Sequence, residues 1–200
     1  MPQVFVSSVV AAPAEKVWAT IRRFDAVADW LPFVKSSPIE DGGDPTRVGC
    51  VRILTQTNGG VFREVLVALS DAERFYSYTF VSSPVSVRNH RTTLRVLPIT
   101  DGNRSYIERS SRFDIDPEHE AQLVDLMNRN FFAGLRALAE KMARLNCGRH
   151  LVFVGRARHS RARGRLQTHA ACPGTSGPAL LMRLSLKFSS APPWCCSPEN

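Results

Sequence analysis

The 200-residue sequence predicts an α+β domain in which a curved antiparallel sheet of about seven strands wraps a long C-terminal helix, with two short helices after the first strand. Three observations predict it. Residues 34–114 hold six apolar-rich segments in succession, separated by polar turns. An apolar stripe at three- and four-residue steps follows Asp116. A Val-rich segment and two helix-like stretches come before both.

The first segment, "QVFVSSVV" at 3–10, alternates weakly and is rich in Val, which suits a strand. In "PAEKVWATIRRF", Pro13 fits a first helical turn, Glu15 complements the helix N-terminus, and Val17, Trp18 and Ile21 share one face. "DAVADWLPF" reads as a second short helix stopped near Pro32. Strands are expected at 34–40, 48–55, 61–70, 74–82, 86–97 and 104–114, joined by "DGGDPT", "TNGG", "SDAE", "SSP" and "ITDGN" as an antiparallel meander. Asp116 then caps a helix with Pro117, Glu118 and Glu120 near its start and Lys141 and Arg144 near its end. Along that helix Leu123, Met127, Phe131, Gly134, Leu138 and Met142 form the stripe that must be buried against the sheet. Gly134, mid-stripe, serves either close packing or room for a ligand.

Charge divides the chain at Leu145. Residues 1–145 carry 18 basic and 17 acidic side chains, while residues 146–200 carry eight and one. The domain is therefore expected over 1–145, and 146–200 reads as a basic tail containing Cys, Pro and Gly, disordered or a non-conforming extension. Its Arg cluster at 156–165 leaves open a tail-mediated contact with nucleic acid or an anionic membrane. "MPQVFVSSVV" lacks the basic start of a secretory signal, no run is long enough to span a membrane, and only Cys50 lies before Leu145, so a cytoplasmic location is expected. No zinc-like Cys/His spacing, phosphate-binding Gly loop or Gly-x-Ser-x-Gly elbow occurs in residues 1–145, so neither a metal nor a cofactor is expected.

Strand alternation points several polar side chains inward. On 86–97, His90 shares its side with Thr92, Leu94 and Val96, opposite Asn89, Arg91, Thr93 and Arg95. On 104–114, Arg109 lies with Ile107, Ser111 and Phe113. Arg52 keeps company with Val48, Cys50 and Leu54, and Glu64 with Phe62, Leu66 and Ala68. Arg52, Glu64, His90 and Arg109 would thus share one concave face, where each needs a partner: another side chain, water or a ligand.

Residues 3–145, with "RVGCVR", "REVLVALSDAER" and "VRNHRTTLRV" in that order, resemble the SRPBCC superfamily (START-like, helix-grip) and within it the polyketide cyclase/dehydrase branch, including plant abscisic-acid receptors and lachrymatory-factor synthases. The resemblance implies that Glu64 is the acidic residue facing the cavity, that Arg52 follows the Gly-Cys pair, and that His90 stands where those families place a Tyr. Their Ser-Gly-Leu-Pro-Ala gate is replaced here by "TQTNGG" and their His-Arg-Leu latch by "VSV". A pocket cation aligns with Leu31, and Arg109 falls on an acidic pocket position, so an abscisic-acid receptor is not expected.

Two functions are compatible with this pattern. The first is binding of a small hydrophobic or amphipathic molecule, as in polyketide cyclase or lipid-transport-like proteins, with its body on Trp30, Phe62, Leu94, Phe131 and Leu138 and its polar end on Arg52 or Arg109. The second is a metal-independent cyclase, dehydratase or isomerase in which Glu64 and His90 transfer protons and an Arg stabilises the developing anion.

Overall fold

The computed structural model describes residues 1–147. The chain runs β1 (Gln3–Val10), α1 (Ala14–Ile21), a 3-10 helix (Phe24–Asp29), β2 (Val34–Ser36), β3 (Val51–Gln56), β4 (Val61–Ser70), β5 (Phe75–Ser82), β6 (Arg88–Ile99), β7 (Arg104–Asp114) and α2 (Pro117–Cys147). Of the basic tail expected at 146–200, Asn146 and Cys147 belong to α2, and the rest lies outside the described residues. The seven strands form one antiparallel sheet in the order β1-β7-β6-β5-β4-β3-β2. Hairpins make neighbours of β2 through β7, and β1 joins β7 from Gln3↔Arg112 to Val10↔Ser105. This is the α+β architecture that the sequence predicts, a sheet gripping a long helix. No helix among the described residues is long and apolar enough to cross a membrane.

Several strand limits differ from expectation, each for a local reason. The strand expected at 34–40 is interrupted after Ser36 by a register shift, where the buried Ser37 hydroxyl donates to the Asp25 carbonyl at 2.5 Å, and the chain rejoins β3 through an isolated bridge of Ile39 to Arg52. β3 begins at Val51 rather than 48. Gly49 has φ +94°, a left-handed backbone that throws Val48 outward, so Val48 does not share the inner face with Arg52. In β4 the register shifts between Leu66 and Ala68, so Leu69, not Ala68, stands opposite Tyr76 and packs on the core. The second short helix is a 3-10 helix ending at Asp29, with Trp30 N donating to the Val27 carbonyl at 3.3 Å. α2 begins at Pro117 as expected, with Asp116 just before it; the Asp116 carboxylate pairs with Arg88 at 3.3 Å, and His119 N donates to its backbone oxygen.

α1 buries Ala14, Val17, Trp18 and Ile21 on one face. Trp18 Nε1 donates to Asp71 Oδ1 at 2.8 Å, and Arg22 grips the same carboxylate through Nε and Nη2, fastening α1 to the β4–β5 turn. The two helical pieces and the C-terminal half of α2 enclose one apolar cluster with the sheet, containing Val10, Ile21, Phe24, Leu66, Leu94, Val96, Ile107, Leu135, Leu138 and Met142. A second, smaller cluster gathers Val4, Phe113, Leu123 and Phe131 near the start of α2. Between the two, along the inner face of β6 and β7, lie His90, Thr92, Arg109 and Ser111.

Gly134 is buried, and a Cβ there would collide with Leu31 Cδ2 and touch the Trp30 ring at 3.7 Å. The glycine lets α2 press against the segment after the 3-10 helix, not against the sheet, at a cost of about 1 kcal/mol in helix propensity. Lys141, which donates to the Asp29 carbonyl at 2.8 Å, holds the same contact about two turns further along. Gly134→Leu should lower unfolding free energy by about 1–3 kcal/mol through overpacking. Adding Leu31→Ala should recover part of that loss in a double-mutant cycle measured by urea denaturation; strict additivity would mean that the two positions do not press on each other.

Candidate functional site

Two polar groups occupy the inner face, and they are built differently. Arg52 and Glu64 sit directly opposite each other on β3 and β4. Arg52 is 1% exposed and Glu64 4%. Arg52 Nε donates to Glu64 Oε2 at 2.6 Å and Nη1 to the Phe24 carbonyl at 2.7 Å, while the guanidinium lies 3.8 Å from the Phe24 ring centroid and 4.9 Å from that of Tyr78. Burial opposes the Arg52 charge, but Glu64 and the Tyr76 and Tyr78 phenols outweigh it and hold its pKa above the ordinary value. The pair is closed: its charges and much of its hydrogen-bonding capacity are satisfied by protein.

The second group spans β5, β6 and β7. Arg109 Nη2 donates to the Tyr78 hydroxyl at 2.5 Å, and its guanidinium stacks on Phe131 of α2 at 4.0 Å. Among the described residues no carboxylate pairs with Arg109. His90 is 6% exposed and stacks flat on Phe80, with ring centroids 3.6 Å apart and planes 2° from parallel. Its Nε2 meets Thr92 Oγ1 at 2.9 Å, and Thr92 Oγ1 donates to Ser111 Oγ at 2.9 Å. His90 Nδ1 is buried with no partner among the described residues. Burial, with the nearby Arg109 charge, pushes the His90 pKa down to about 4, so the ring is neutral at neutral pH. Asn89, next to it, has φ +50° and donates from Nδ2 to Asp114 Oδ2 at 2.6 Å, and the register shift at this point sets how His90 enters the interior.

All four expected inward residues therefore lie on one side of the sheet, but Glu64 bonds Arg52 and His90 bonds Thr92. Phe80 is the strand partner of Glu64 and the stacking partner of His90, so an aromatic ring stands between the two groups. Of the expected apolar lining, Phe131 covers Arg109, and Leu123 and Met127 pack in the cluster beside it. Phe62 packs on Phe80 at 5.6 Å, while Leu94 and Leu138 belong to the larger cluster. Trp30 and Gly134 meet through Leu31, where Trp30 also lines an open surface groove of about 340 Å³ with Pro32, Ala137, Lys141 and Arg144. Thr92 and Ser111 are buried beside His90 and Arg109, as the alternation predicts, and Tyr78 and Phe80 complete the inner face beyond the expected set. Tyr76, Tyr78 and Phe80 alternate along "FYSYTF" and were open to the same parity test that singled out His90. Among the described residues, no three His, Cys, Asp or Glu side chains are grouped to hold a metal ion.

Removing one partner of the buried pair leaves the other charge stranded. Glu64→Gln should therefore cost about 3 kcal/mol in urea unfolding, whereas Arg52→Met with Glu64→Leu should recover most of the loss because the pair's own desolvation disappears. His90 gives a separate pH signature. Its folded pKa is depressed, so its contribution is fully present above the unfolded value of 6.5 and is lost as pH falls toward about 4, where the folded ring protonates. The unfolded chain binds the proton first, so stability should fall across that window by at most about 3 kcal/mol, and His90→Phe should flatten the slope.

A family model described as polyketide cyclase / dehydrase and lipid transport matches residues 1–143. The abscisic acid receptor PYL1 of Arabidopsis thaliana is 27% identical over 140 residues, 68% of this chain and 60% of that protein. The rice receptor PYL10, from Oryza sativa subsp. japonica, is 25% identical over 146 residues, 68% of this chain and 63% of its own. The chain thus spans about three-fifths of the length of these curated relatives. Among solved structures, the protein XoxI from Bacillus cereus superposes with a TM-score of 0.66 at 29% identity, covering 73% of this chain and 99% of that one. The Zhui aromatase/cyclase from a Streptomyces species superposes at 0.60 with 20% identity, over 72% of this chain and 94% of that one, a likeness of fold alone. With its seven-stranded sheet gripping a long C-terminal helix and a family match over nearly all of the described residues, the chain belongs to the polyketide cyclase / dehydrase and lipid transport family of the SRPBCC superfamily.

Proposed function

We propose that the domain binds a small amphipathic molecule beneath the N-terminal half of α2, its apolar body against Leu123, Met127 and Phe131 and its polar end toward Arg109, Tyr78 and His90. The observation that carries this reading is the pairing of a buried, partnerless ring nitrogen on His90 with a half-buried Arg109 that has no acid among the described residues. Buried polar atoms of this kind ordinarily find a partner, and a bound molecule supplies one. Membership of a family that includes cyclases and lipid carriers supports the same reading.

Binding is favoured over proton transfer by Glu64 and His90 because Glu64 is engaged by Arg52 and separated from His90 by Phe80. A base acts on a substrate proton only within hydrogen-bond reach, and the Glu64 carboxylate already accepts from the buried Arg52 guanidinium. The contribution of the tail to nucleic-acid or membrane contact lies outside the described residues.

The reading is tested by titrating the full chain with 2-naphthol, a small amphipathic aromatic, and following its fluorescence. Saturable binding is expected, weakened about tenfold in Arg109→Gln, the equivalent of one hydrogen bond to a charged group. Absence of saturable binding, or equal affinity in the variant, would count against the proposed site.

A further inference from the structure

The hydrogen bonds around His90 fix where its proton sits, and that decides what it can recognise. The ring is neutral, with its pKa pushed down to about 4 by burial and by Arg109, so only one nitrogen carries hydrogen. Thr92 has a single hydroxyl proton, and that proton is donated to Ser111 Oγ at 2.9 Å. Toward His90 Nε2, also 2.9 Å away, Thr92 Oγ1 can then only accept. The proton therefore belongs to Nε2, and Nδ1 presents a bare lone pair. That lone pair is buried and without a partner, and Phe80 covers one face of the ring at 3.6 Å. The cation Arg109 lies close by, joined to Tyr78.

A group that completes this arrangement has to donate at one point and accept at another. On the reading that the domain binds an amphipathic ligand here, we infer that the ligand's polar end is a hydroxyl, phenol or enol, whose O–H is given to His90 Nδ1 while its oxygen faces the Arg109 guanidinium. An ether offers Arg109 an acceptor but leaves Nδ1 unpaired, which wastes the desolvation of the ring. A carboxylate sets its own lone pairs against that of Nδ1. The Ser111–Thr92–His90 chain thus acts as a selector for a neutral hydrogen-bond donor, with Thr92 and Ser111 positioning the proton and His90 reading the ligand.

Two measurements on the full chain test this. The imidazole nitrogen shifts of His90, read by long-range proton–nitrogen NMR, should show the Nε2–H tautomer in the free protein; an Nδ1–H tautomer overturns the inference without reference to any ligand. In parallel, 2-naphthol and its ether 2-methoxynaphthalene, in which a methyl group replaces the hydroxyl proton, are compared at neutral pH. The naphthol should bind about tenfold tighter, the cost of leaving a buried acceptor unpaired, and the gap should close in His90→Phe, which keeps the stack on Phe80. Equal binding of the two by the wild type means that only a water occupies Nδ1 and overturns the inference alone, as does a gap that persists in His90→Phe. Failure of both probes to bind overturns the ligand-binding reading and this inference with it.

Discussion

The contact on which the rest of the interior depends is the buried bond between Arg52 and Glu64. Each is nearly inaccessible, and neither charge would survive there alone, since stranding one is worth several kcal/mol. Because the two residues stand opposite each other on β3 and β4, the bond holds the register of that hairpin. Because Arg52 also donates to the Phe24 carbonyl and stacks on the Phe24 ring, it draws the 3-10 helix onto the sheet. Glu40 and Arg63 form a second, exposed pair nearby at 2.7 Å, which water and salt screen and which contributes far less.

With Glu64 committed to Arg52, the cation Arg109 and the neutral base His90 have no acid partner among the described residues. Arg109 is tolerated half-buried because its face lies on Phe131 and one nitrogen on Tyr78, contacts that soften desolvation without neutralising the charge. His90 is tolerated because it gives up its charge altogether. The two apolar clusters flank this polar band, so α2 crosses from one to the other directly over it. A domain that served only stability would gain from an apolar band there, which is why this band is the site proposed.

Glycine and helix geometry set the outer limits of that site. At Gly134 the absence of a side chain brings α2 against Leu31 and Trp30, closing the region around the larger cluster. Toward the start of α2 the packing is looser in composition: Met127, Leu126 and Val124 are only partly buried, and Val85 and Val87 from the β5–β6 connection reach the same cluster. Methionine adapts its shape readily, which would suit the ligand binding proposed for this region.

Much of the architecture was determined by the sequence itself. Period-two alternation over 86–97 and 104–114 placed His90 and Arg109 inward, and the three- and four-residue stripe placed Leu123, Phe131 and Leu138 on the buried side of α2, because in both cases side-chain direction follows from backbone repeat alone. Where the repeat is interrupted, local reading failed. The bulge in β4 exchanged Ala68 for Leu69, and the left-handed Gly49 removed Val48 from the inner face, since one extra or reversed residue shifts every side chain beyond it. Which inward groups would become partners was beyond the sequence entirely. Glu64 could face Arg52 or His90 with equal parity, and only the strand order, which sets Arg52 directly across from Glu64 and Phe80 between Glu64 and His90, decided it. Pairing energy depends on distances of a few ångströms between strands remote in the chain, and those distances exist only once the sheet has closed.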